Sequence, residues 1–137
     1  MSIQIGDKLP HFTAVKQDGT AFDSNSIQNK PVVIYFYPKD NTPGCTTQAC
    51  SFRDAYQDFQ DLGAEVIGVS GDSISSHQNF QQKHKLPFVL LSDSDRKLRK
   101  LFGVPTALFG LIPGRVTYVF NASGKAIYIF DNMSAKN

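Results

Sequence analysis

Apolar residues in this chain fall into five short runs, Val32 to Tyr37, Ala64 to Val69, Phe88 to Leu91, Val116 to Phe120 and Ala126 to Phe130. Runs of this length, rich in Val, Ile, Phe and Tyr, read as β-strands. Val32 to Tyr37 shows no polar alternation, which suits a central strand covered on both faces. Phe12 to Val15 and Thr20 to Phe22 flank Asp18-Gly19 and predict a small N-terminal hairpin. Asn121-Ala122-Ser123-Gly124-Lys125 predicts a second hairpin between the last two strands.

Between the strands the apolar spacing turns helical. Phe52, Ala55, Tyr56, Phe59 and Leu62 share one helical face, and Gly63 is placed to stop that helix. A weaker pattern over Ser73 to Lys85 begins after Asp72, read as its cap, and ends before Pro87. Leu98, Leu101 and Phe102 make the apolar face of a short helix after Ser92-Asp93-Ser94-Asp95, with Arg96 to Lys100 on its wet side. The order is hairpin, β, α, β, α, β, short α, hairpin. This predicts an α/β fold, a three-layer sandwich of thioredoxin type with a central mixed β-sheet and an N-terminal β-hairpin. Nothing after Phe130 predicts a final helix.

The length of 137 residues fits one domain, 1–137. A chain of this size buries roughly two-thirds of its unfolded surface and needs no disulfide for stability. A net charge of +2 is too weak to argue for nucleic acid. No apolar run approaches the roughly 18 residues of a membrane span. The start, Met1 to Asp7, lacks a signal-peptide pattern. The default compartment is therefore the reducing cytosol (cytoplasmic), or an organelle stroma or lumen if a transit peptide has been removed. In such a compartment cysteines point to chemistry more than to structure.

Both cysteines lie in Pro38-Lys39-Asp40-Asn41-Thr42-Pro43-Gly44-Cys45-Thr46-Thr47-Gln48-Ala49-Cys50, where the central strand turns into a helix. A sulfur in the first turn of a helix meets unpaired N–H groups and the positive end of the dipole, which favour negative charge. Pro43 and Gly44 suit the tight turn, Thr42 offers a hydroxyl, and Pro38 walls the pocket without a competing N–H. On an ideal helix five residues rise about 7.5 Å and rotate about 140°, placing the two α-carbons roughly 8.6 Å apart. A disulfide accepts at most about 6.8 Å, so Cys45 and Cys50 can join only if the first turns of the helix melt. Two cysteines are too few soft ligands for a zinc site. His11, His77 and His84 read as solvated side chains. The apolar segment Ala107 to Ile112 is open between a pocket mouth, a contact patch and a buried loop.

Pro38-x-x-x-Thr42-x-x-Cys45 resembles the active-site motif of the peroxiredoxins, and Asn41-Thr42-Pro43-Gly44-Cys45-Thr46-x-Gln48-Ala49-Cys50 is similar to their peroxiredoxin Q (bacterioferritin comigratory protein) branch. Gly6-Asp7-Lys8-Leu9-Pro10-x-Phe12, Leu90 to Asp93, Phe102 to Pro105 and Phe109 to Val119 resemble other stretches of that branch. The resemblance implies a thiol peroxidase acting on hydrogen peroxide and small organic (alkyl) hydroperoxides. Cys45 would be the attacking thiolate and Cys50 the resolving thiol. Arg115 would stabilise charge on the sulfur and on the leaving oxygen, Thr42 would bond the peroxide, and Pro38 would shield the site. It implies a thioredoxin-type reductant, a monomer, no cofactor and no metal, and it adds a C-terminal helix that this sequence does not predict. Two other readings remain beside it: a thiol–disulfide oxidoreductase, whose sites usually carry Cys-x-x-Cys, and an adaptor or holdase whose cysteines sense oxidation.

Overall fold

The structure, a computed structural model, describes residues 2–107 and 112–131. Its centre is the strand β3 (Val32–Phe36), every residue of which is buried. Side chains alternate across a strand, and here the alternation separates two cores. Val32, Ile34 and Phe36 enter one apolar cluster, while Val33, Tyr35 and Tyr37 enter the other. The unbroken apolar run thus reflects a strand covered twice.

The remaining strands are β1 (Thr13–Lys16), β2 (Ala21–Asp23), β4 (Glu65–Ser70), β5 (Val89–Ser92), β6 (Thr106–Ala107), β7 (Ile112–Pro113), β8 (Val116–Phe120) and β9 (Ala126–Asp131). Seven of them form one mixed sheet in the order β2-β1-β5-β4-β3-β8-β9. β3, β4 and β5 run parallel, and β8, β9 and the N-terminal hairpin pair antiparallel. β6 and β7 make a separate two-stranded pair that the apolar pattern did not predict.

Helices α1 (Pro43–Asp54), α2 (Tyr56–Asp61) and α3 (Ile74–His84) accompany one face. Cys45, Ala49 and Phe52 of α1, Tyr56 and Phe59 of α2, and Phe80 of α3 pack into the core that holds Tyr35 and Tyr37. Helix α4 (Lys97–Phe102) sends Leu98 and Phe102 into the opposite core with Phe12, Phe22 and Phe36. The result is the expected three-layer thioredoxin-like sandwich. Among the described residues no helix is long and apolar enough to cross a membrane.

Several local expectations are corrected. The helix after the cysteines does not run unbroken to Leu62. It breaks at Ala55 (φ −94°, ψ 2°), which lets Phe52 and Phe59 meet at 6.0 Å, while Leu62 ends up exposed. Ser73, not Asp72, caps α3, its hydroxyl accepting the Ser76 N–H. Leu101 is exposed and Arg99 is buried, the reverse of the expected faces of α4. His77 is wholly buried rather than solvated, and His84 is half-buried. Of the apolar segment Ala107 to Ile112, residues 108–111 lie outside the described residues.

Candidate active site

Sheet register builds the site. Phe36 pairs with Val116, so the chain leaving β3 through Tyr37 and Pro38 runs beside Arg115, which directly precedes β8. Thr42 has extended backbone (φ −86°, ψ 151°) and its carbonyl accepts the Thr46 N–H, which starts α1. Pro43, without an N–H to lose, occupies the first turn. The Thr42 hydroxyl donates to the Lys39 carbonyl at 2.9 Å, and among the described residues no side chain caps the helix. The positive end of α1 is therefore left to the Cys45 sulfur.

Cys45 is buried at 1% exposure. Arg115 Nη2 donates to its Sγ at 3.3 Å, and Nη1 donates to Gln48 Oε1 at 2.7 Å. A buried guanidinium and a helix N-terminus thus converge on one sulfur, and both favour the thiolate. Gln48, one helical turn beyond Cys45, holds the guanidinium in place; the motif placed Gln48 but assigned it no task. Pro38 and Thr42 are half-buried. Cys50 is half-buried further along α1, and both thiols are free. Its Sγ lies 3.9 Å from His84 Nδ1, and Arg53 Nη1 donates to the His84 carbonyl at 2.8 Å, so the far half of α1 is tied to the end of α3. Burial, helped by Lys83 and Arg53, lowers the pKa of His84 and favours its neutral form beside Cys50.

Below the turn from Lys39 to Thr42 sits a polar network that sequence reading missed. Asp40 is buried; it accepts from Tyr37 Oη at 2.6 Å and Ser76 Oγ at 2.9 Å, and faces His77 Nδ1 at 2.7 Å. His77 Nε2 meets the Leu91 carbonyl at 2.9 Å, which can only accept, so that nitrogen carries a hydrogen. A proton must then lie between Nδ1 and Asp40 as well. Asp72 accepts from Asp40 N and from Ser70 Oγ. The Asp40, Asp72 and His77 ligand atoms lie within 4.8 Å of one another, a spacing a cation could use. Protein hydrogen bonds already engage these groups, so the cluster reads as a brace for the turn. Within that turn Asn41 has a left-handed conformation (φ 62°), which asparagine adopts more readily than most residues with a side chain.

The AhpC/TSA family profile matches residues 5–129. The chain belongs to the AhpC/TSA family. Among AhpC/TSA relatives, peroxiredoxin Q of Oryza sativa subsp. japonica, a chloroplastic protein, is 54% identical over 127 residues, 93% of this chain. The chain spans 58% of the length of that relative. A cysteine-to-serine variant of PrxQ from Xylella fastidiosa superposes with a TM-score of 0.90 at 30% identity, covering 99% of this chain and 91% of the other. The bacterioferritin comigratory protein of Xanthomonas campestris, solved in work on its alkyl peroxide reduction, gives 0.83 at 31% identity, covering 91% and 83%. The likeness to peroxiredoxin Q thus holds in sequence and in fold.

Proposed function

We propose that the chain is a thiol-dependent peroxidase of the peroxiredoxin Q type. The observation that carries this is the buried Cys45 sulfur at the start of α1 with Arg115 Nη2 at 3.3 Å. The Cys45 thiolate attacks one peroxide oxygen, an S–O bond forms and the O–O bond breaks. The electron pair of that bond leaves on the distal oxygen, which takes a proton and departs as water or alcohol. Arg115 and the helix N-terminus stabilise the negative charge as it moves from sulfur to the leaving oxygen. The Thr42 hydroxyl, already donating to Lys39, keeps its lone pairs to accept the peroxide O–H. Pro38 keeps water from the sulfur.

Cys45 is then a sulfenic acid. Cys50 attacks it, expelling water and forming the Cys45–Cys50 disulfide once the start of α1 has opened. A dithiol reductant of thioredoxin type returns both sulfurs to thiols and is itself oxidised, so the electrons balance. The bond chemistry needs no metal or prosthetic group. Substrates of this class are hydrogen peroxide and small alkyl hydroperoxides. The expected setting is a monomer in a reducing compartment, the cytosol or an organelle stroma.

The test is the reaction of the reduced protein with one equivalent of hydrogen peroxide, quenched at intervals and read by intact mass. Oxidation orders of magnitude faster than a free thiol, ending two mass units lower, is the expected result. Cys45→Ser should abolish turnover. Cys50→Ser should keep the first attack and accumulate sulfenic, then sulfinic acid on Cys45. A free-thiol rate in the unaltered protein would sink the peroxidase reading.

A further inference from the structure

Arg99 lies on α4 at 5% exposure, yet among the described residues no carboxylate pairs with its guanidinium. The Asp93 carboxylate nearby accepts the backbone N–H groups of Leu98 and Arg99 instead. The guanidinium lies over the Phe36 ring at 5.7 Å, and among the described residues its Nε has no partner. Its two ends reach two backbone carbonyls from distant segments. Nη2 donates to Tyr37 O at 2.8 Å and Nη1 to Gly114 O at 3.0 Å. A buried cation costs several kcal/mol to desolvate, and only its hydrogen bonds to the two carbonyls, each costly to leave without a donor, offset that. Packing alone does not call for arginine here.

The two carbonyls share one property. Tyr37 O belongs to the peptide that leads into Pro38, and Gly114 O to the peptide that leads into Arg115. Peptide units are planar, so fixing each oxygen fixes the direction in which the next residue leaves. A single rigid fork thereby sets the separation of the backbone that leads into Pro38 from the backbone that carries Arg115 to the Cys45 sulfur. We propose that Arg99 is a positioning residue for peroxide attack, clamping the segment that leads into Pro38 to the segment that aims Arg115 at the Cys45 sulfur. Lysine cannot replace it, because one ammonium nitrogen lacks the planar fork that spans both oxygens. Burial, with Arg96 adding to it, lowers the pKa of Arg99, while Asp93, Tyr118 and the Cys45 sulfur act in the other direction.

This role rests on Cys45 being the peroxidatic sulfur, and the experiment separates the two. The unaltered chain, Arg99→Lys and Arg99→Met are compared in three measurements: peroxide oxidation of Cys45 by quench and mass, alkylation of Cys45 by iodoacetamide, and thermal unfolding. Arg99→Met removes the buried charge, so it holds the fold if desolvation makes the lysine variant unstable. The expected result is folded protein with peroxide attack slowed about 10- to 100-fold, the effect of a small misplacement of reacting groups. Alkylation needs a charged sulfur and access to it but no aligned peroxide, so it should not fall by more than about threefold. An unchanged attack rate in Arg99→Lys would overturn the clamp, as would equal falls in attack and alkylation, or failure of both variants to fold. An unaltered chain no faster than a free thiol would overturn the peroxidase reading and the clamp together.

Discussion

Arg115 is asked to do two things at once. One Nη nitrogen faces the Cys45 sulfur and the other is held by Gln48. Lysine at that position keeps a charge but can satisfy only one of the two geometries. Arg115→Lys should therefore slow peroxide attack by about 10²- to 10³-fold, the usual loss when one aimed donor is removed, and quench-and-mass kinetics will read it. A rate within threefold of the original, on the order of what loss of a weak contact gives, would show that charge alone suffices. His77 makes the opposite kind of point. It does not touch the sulfur; it sits wholly buried under the Lys39 to Thr42 turn, against Asp40. His77→Ala removes the partner of a buried carboxylate, a change that costs about 3–5 kcal/mol. Urea unfolding should show a loss of that size. A loss under about 1 kcal/mol, typical of a neutral hydrogen bond, would mean that Tyr37 and Ser76 satisfy Asp40 without it.

At the level of elements, the strands were legible because apolar runs of four to six residues leave little choice, and β8 spans Val116–Phe120 as its pattern predicts. The cysteine motif was legible because Pro, Thr and Gly each have a local reason to stand where a strand turns into a helix. What stayed hidden depends on partners far along the chain. The break at Ala55 has no glycine or proline to announce it, and follows from packing Phe52 and Phe59 together. Arg99 reads as solvated until β3 and the Gly114 segment bring two carbonyls to it. His77 reads as solvated until Asp40 arrives. Gly114 is the residue whose need is purely tertiary. A Cβ there would collide with the Pro105 carbonyl oxygen, closer than real contacts reach. Gly114→Ala must push the two backbones apart and carry Arg115 with them. The expected outcome is a stability loss of about 1–3 kcal/mol from overpacking. Peroxide attack should fall by up to about 100-fold, because Arg115 no longer points at the sulfur. Stability loss with full activity would show that the Pro105 side yields instead.

The whole molecule divides into a part that stays and a part that must move. β3, β4 and β8 are tied by pairing along their full lengths and covered on both faces. α1 is held more lightly at its start: Pro43 and Thr47 are exposed, no side chain among the described residues caps it, and Cys45 and Gln48 are each bonded to Arg115, whereas the His84 contacts lie further along, at Cys50 and Arg53. Both Arg115 ties involve groups that the proposed peroxidase reaction would change or displace. Oxidising Cys45 removes the negative sulfur that faces the guanidinium, and joining Cys45 to Cys50 cannot be done on an intact helix. Closing so short a ring restrains the unfolded chain by only about 2 kcal/mol, so the bond does not restore what the lost turns contributed. Amide exchange should report the division. In the disulfide form, residues 43–50 should lose their protection and helical signal should fall by a turn or more, while the central strands exchange as slowly as in the reduced protein. Equal protection of residues 43–50 in both forms would mean that the sulfurs do not meet by opening α1, and Cys50 would lose its place as the resolving thiol.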